Sequence, residues 1–184
     1  MKRIIILFIL VTVIFSEANS QRKLSFIEEY IDFTLNKDFF EVNGVYLFHN
    51  TSDELIRTTI SFPFASNVQS IDTIRVFDLN KNNLIEYKSF GKSIYFPLEI
   101  AANDTVSYNI AYRQPIAKIN EYILLTTHAW GKPLQKVKYS LKVNDGIEVE
   151  EISYAPDSIT ASGIRKWEKQ NFMPDKNFIV TIKN

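Results

Sequence analysis

EYIDFTLN, residues 29–36, decides how the chain is to be read. Ile31, Phe33 and Leu35 fall at every second position, with Asp32, Thr34 and Asn36 between them. Alternation of period two marks a strand with one face in a core and one in water, whereas a helix places its apolar residues three and four apart. The pattern recurs downstream, and strands are expected over residues 29–36, 39–49, 55–62, 72–78, 84–88, 93–96, 105–113, 122–127, 136–143, 147–154, 158–167 and 178–183. Residues 24–30 are the one helix candidate. Many short strands rich in Tyr, Phe, Ile, Val and Thr imply an all-β chain, and the expected architecture is an antiparallel β-sandwich, immunoglobulin-like or related.

Turn chemistry supports this division. Asn50-Thr51-Ser52-Asp53 separates two strands with side chains that can hydrogen-bond their own backbone, and Pro63, lacking an N–H, should close a strand or lie at an edge. Asn144-Asp145-Gly146 suggests a three-residue hairpin loop that sets Val143 opposite Ile147, Lys142 opposite Glu148 and Leu141 opposite Val149. Glu151 interrupts the alternation that follows, so a bulge is expected near Glu150.

The ends bound the domain plan. Lys2 and Arg3 precede the apolar run IIILFILVTVIF, and Ala18-Asn19-Ser20 supplies small residues beyond it. Residues 1–20 therefore read as a secretory signal peptide, too short in its apolar run for a permanent membrane anchor. Residues 21–184 are expected to form a single β-sandwich domain with no transmembrane segment after cleavage. Export implies a periplasmic, outer-surface or secreted location. With no cysteine, the core must supply the stability. Lys and Arg number 21 and so do Asp and Glu, a balance that offers no basic face for nucleic acid.

Little in the sequence points to catalysis. No Gly-x-Ser-x-Gly elbow is present, Ser89-Phe90-Gly91-Lys92 lies between short strands and not at a helix start, and only His49 and His128 could act as imidazole bases. The two histidines are far apart, which argues against a metal site, and no cofactor is expected. Asp78-Leu79-Asn80-Lys81-Asn82 begins like a calcium loop but lacks the required glycine and glutamate, so it reads as a turn. Carboxylates occur together at Glu28-Glu29 and at Glu148, Glu150 and Glu151. A hydrolase built on such groups is a remote alternative.

The candidate binding residues lie mainly in THAWGKPLQKVKYSLKV, residues 127–143. Val137, Tyr139, Leu141 and Val143 alternate with Lys136, Lys138, Ser140 and Lys142, so the lysines read first as a solvated face and second as a docking edge. Trp130, beside Gly131 and Pro133, reads as a plug at the end of the core or, with His128, Tyr122 or Trp167, as a platform for a sugar ring or an apolar side chain.

Two segments carry a resemblance. VNGVYLFHNTSDELIRTTISFPF, residues 42–64, looks like the opening of the vault-protein inter-alpha-trypsin (VIT) type domain, an extracellular β-sandwich, and NFMPDKNFIVTIK, residues 171–183, is similar to its final strand. The family usually continues into a von Willebrand A domain, and the sequence ends at Asn184. The resemblance implies an exported sandwich and transfers no functional residue. The expected function is a non-enzymatic binding or accessory component of the cell envelope or a surface assembly, partnered by another envelope or surface protein. The alternative is a carbohydrate-binding module that stacks a glycan on Trp130 and Trp167.

Overall fold

The computed structural model describes residues 23–68 and 70–183. The expected signal peptide lies outside the described residues. The chain is all-β. Its strands are β1 (Leu24–Leu35), β2 (Phe39–Asn50), β3 (Ile56–Pro63), β4 (Asp72–Asp78), β5 (Asn83–Leu84), β6 (Lys88–Phe90), β7 (Ser93–Ile100), β8 (Thr105–Pro115), β9 (Ile119–Tyr122), β10 (Leu134–Val143), β11 (Val149–Ile152), β12 (Ser158–Ile159), β13 (Arg165–Phe172) and β14 (Phe178–Ile182). A 3-10 helix, Leu125–Trp130, joins β9 to β10. Among the described residues no helix is long and apolar enough to cross a membrane.

An eight-stranded sheet runs in the order β12-β13-β10-β1-β2-β8-β4-β5, and two three-stranded sheets run β11-β14-β9 and β3-β7-β6. The large sheet is mixed, which corrects the expectation of purely antiparallel pairing. β1 lies parallel to β10, with Ile31 beside Tyr139 and Phe33 beside Leu141. A parallel partner arrives by a long crossover and not by a tight turn, so no local signal announces it.

Three further expectations change for related reasons. Residues 24–30 belong to β1 and not to a helix: Leu24 and Phe26 face inward, the register slips between Phe26 and Glu28, and Glu29, Ile31, Phe33 and Leu35 then face inward in turn. That bulge breaks the period-two pattern in a way that imitates helical spacing. Residues 122–127 are divided, since Tyr122 ends β9 and Leu125 starts the 3-10 helix. The hairpin expected across Asn144-Asp145-Gly146 does not form. β10 is held by β1 on one side and β13 on the other, and β11 pairs with β14. The irregularity expected near Glu150 is present, between Val149 and Glu151.

Ring contacts show where the smaller sheets lie. Phe33 stacks on Phe178 at 4.4 Å, and Trp167 meets the same ring edge-on at 5.2 Å, which sets the β11-β14-β9 sheet over β1, β10 and β13. Tyr46 meets Phe62 at 5.4 Å and Tyr108 meets Phe96 at 5.6 Å, which sets the β3-β7-β6 sheet over β2 and β8. Cross-strand partners share a face, and Glu29 lies opposite Tyr46, which lies opposite Tyr108. Both small sheets therefore cover one face of the large sheet. The buried apolar residues form one contiguous cluster.

Candidate binding cavity

Among the described residues the two small sheets do not pair with each other. β3 pairs only with β7 and β9 only with β14, and between these strands opens a cavity of about 420 Å³. Its floor is the large sheet, through Phe26, Glu29, Tyr46 and Phe48. One wall is β3, through Ile56, Ile60 and Phe62, and the other is the segment from Tyr122 to Trp130. Trp130 leans on Phe26 at 5.9 Å and on Phe48 at 5.6 Å. Among the described residues that line the cavity, none is Lys, Arg or His.

Glu29 is the unusual member of this set. It is 3% exposed and is faced inward by the β1 bulge, one residue later than simple alternation from Phe26 would allow. Tyr122 donates its hydroxyl to Oε1 of Glu29 at 2.5 Å, and Tyr139 donates to Oε2 at 2.7 Å. The Tyr46 hydroxyl lies 3.0 Å from that of Tyr122. With Glu29 ionised, Tyr122 directs its single proton at the carboxylate, and Tyr46 then donates to Tyr122. Burial pushes the Glu29 carboxyl up from 4.5 to about 7, and the two tyrosine hydrogen bonds oppose that rise. Burial also raises Tyr46, Tyr122 and Tyr139 well above the usual phenol value, with the Glu29 charge adding to the effect.

Local backbone features hold the cluster. Gly44 leaves room for the Tyr46 ring to fold over the strand: a Cβ there would lie 2.6 Å from the ring and 2.3 Å from its hydroxyl oxygen. The 3-10 helix is anchored by Asn177, whose Oδ1 accepts from the N–H groups of Leu124 and Leu125 at 3.1 Å each. It ends at Gly131 with φ of 70°, a left-handed conformation that glycine adopts without a Cβ clash.

Of the candidate binding residues named from the sequence, the structure brings Tyr122 and Trp130 to the cavity and disperses the rest. His128 is exposed and its Nε2–H donates to the Pro174 carbonyl at 2.6 Å. Trp167 is buried, with its indole N–H donating to the Tyr154 carbonyl at 3.1 Å, so its ring and that of Trp130 form no common platform. Lys136 and Lys138 flank Glu168 at 3.3 and 3.5 Å on the opposite face of the large sheet. Their strand is no free edge. Glu148, Glu150 and Glu151 are exposed. Among the described residues no three His, Cys, Asp or Glu side chains are grouped to hold a metal ion.

Sequence reasoning named Glu29 only as one of a pair of neighbouring carboxylates and did not single out Tyr46 or Tyr139 as site residues. The signal was present for Glu29: it shares the phase of Ile31, Phe33 and Leu35, and a carboxylate on an apolar face requires partners.

No protein-family model and no curated protein matches the chain. Solved structures do. A proposed nutrient binding protein from Legionella pneumophila is similar over 88% of this chain and 67% of its own, with 12% identity and a TM-score of 0.66. Leukotriene A4 hydrolase from Saccharomyces cerevisiae is similar over 88% of this chain at 11% identity and a TM-score of 0.55. An M1 zinc metallopeptidase from Deinococcus radiodurans is similar over 87% at 9% identity and a TM-score of 0.51. The chain spans only 29% and 42% of these two enzymes. At such identities the likeness shows the fold alone.

Proposed function

We propose that this chain is an exported, non-enzymatic binding protein that takes a small, largely apolar ligand into the cavity between β3 and the segment from Tyr122 to Trp130. The observation that carries the reading is the cavity itself, with a volume of about 420 Å³ and mostly aromatic and aliphatic lining. Small-molecule sites are concave, apolar and furnished with a few polar groups that orient the ligand. Glu29 and its tyrosines fit that description.

Packing of both smaller sheets on one face of the large sheet supports a β-sandwich of unequal sheets forming one domain. The signal peptide read over residues 1–20 and the resemblance to extracellular VIT-type domains support an address in the cell envelope or outside the cell. The name of the Legionella protein accords with a binding role, although nothing of its ligand is carried over. A glycan stacked on Trp130 and Trp167 together is disfavoured by the burial of Trp167.

The neutral dye Nile red tests the reading. Ala129 is exposed and lines the cavity, so Ala129→Phe adds bulk at the rim while leaving the core intact. Dye emission should strengthen and shift to the blue with the wild-type protein and respond much less with Ala129→Phe. Equal responses from both proteins, or none from either, would remove the cavity as the binding site.

A further inference from the structure

We infer that the ligand of this cavity is an organic cation, an amine with an aromatic or branched aliphatic body, held between the aromatic walls with its charge at Glu29. The inference rests on the cavity being a binding site and names the chemistry that the site selects.

Three features of the lining carry it. First, charge: Glu29 is a carboxylate in a lining that holds no Lys, Arg or His among the described residues, so the cavity has a negative group with no built-in counter-ion. Second, capacity: each Glu29 oxygen accepts one tyrosine hydroxyl and keeps a second lone pair for another donor. Third, the walls: Phe26, Tyr46, Phe48, Phe62 and Trp130 line the cavity, and aromatic rings attract a desolvated cation through their quadrupoles. A neutral ligand would use the walls alone and leave the carboxylate unmatched. An anion would meet repulsion from Glu29.

The same arrangement makes binding depend on pH. The titratable groups that face Glu29 are Tyr46 on β2, Tyr112 on β8, Tyr122 on β9 and Tyr139 on β10, and all four are raised above the usual phenol value. Glu29 alone therefore changes charge across the neutral range, and a proton on it competes with the ligand cation.

Calorimetric titration of the purified protein at pH 8 with three probes of one shape tests the inference: phenethylammonium, neutral 2-phenylethanol and anionic phenylacetate. The cation should bind at least about tenfold more tightly than the alcohol, and phenylacetate should bind most weakly. In Glu29→Gln the cation and the alcohol should converge, and in the wild type the cation should lose affinity below pH 7 while the alcohol does not. If the alcohol binds as well as the cation, the cation inference is overturned and the cavity reading stands. If none of the three binds, both are overturned. The wild-type series decides the matter even if the variant fails to fold.

Discussion

At the scale of the residue, the molecule turns on Glu29. A buried carboxylate is costly when charged and shifts its titration instead. Glu29 titrates near 7 in the folded protein against 4.5 when exposed, so the folded state holds the proton more tightly than the unfolded state. The sign follows: the contribution of this group to stability is complete below about pH 4.5 and is lost as pH rises through 7, by a few kcal/mol in order of magnitude. Glu29→Gln should abolish that loss, which denaturant unfolding at pH 5 and pH 8 would measure; an unchanged pH dependence would contradict the assignment. Tyr122→Phe should cost about 1–3 kcal/mol, because it leaves one Glu29 oxygen and the Tyr46 hydroxyl without their partner. Gly44→Ala should destabilise as well, since its methyl would displace the Tyr46 ring; a thermal midpoint equal to that of the wild type would count against the close approach. These roles were half legible. The inward phase of Glu29 could be read from residues 29–35, but the hydroxyls that satisfy it come from β9 and β10, distant in sequence.

At the scale of the element, strand existence was largely legible and strand pairing was not. Alternation placed β1, β2, β3, β4, β8, β10 and β14 close to where they lie, because each presents one face to a core. It failed where the pattern changes phase. Leu24, Phe26 and Glu29 all face inward only because a bulge adds a residue between them, and without partner strands such a slip resembles a helical turn. The Asn144-Asp145-Gly146 hairpin failed for a different reason: local turn chemistry was outweighed by two long partners, β1 and β13, which flank β10 along most of its length. Turn reading succeeded where side chains close the turn themselves. Asp78 Oδ1 accepts from the N–H groups of Asn80 and Lys81 at 2.9 Å each. Asn50 is fully buried and donates to the carbonyls of Glu54 at 2.7 Å and Ala101 at 2.9 Å. Hydrogen exchange should therefore find the amides of Val137, Tyr139 and Leu141 in the slowest class and the outward amides of β3 among the fast ones. Fast exchange in β10 would contradict its central position.

At the scale of the whole molecule, one broad sheet carries two narrow ones on the same face, and the cavity opens where these do not pair with each other. Aromatic contacts such as Phe33 on Phe178 and Tyr46 on Phe62 hold the small sheets in place. The high count of 14 Phe and 9 Tyr announced an aromatic core, but not the gap within it, which depends on which strands end each small sheet. The two tryptophans provide an internal comparison. Trp130 lines the cavity, whereas Trp167 is buried against Phe178 with its N–H bound to Tyr154. The most direct measurement is a nitrogen–proton correlation spectrum in which the two indole N–H signals are followed as 2-phenylethanol is added. Ligand entry between β3 and the 3-10 helix predicts a progressive shift of the Trp130 signal with Trp167 nearly still. A Trp130 signal that does not move while the ligand binds, or a shift confined to Trp167, would contradict a binding role for the cavity.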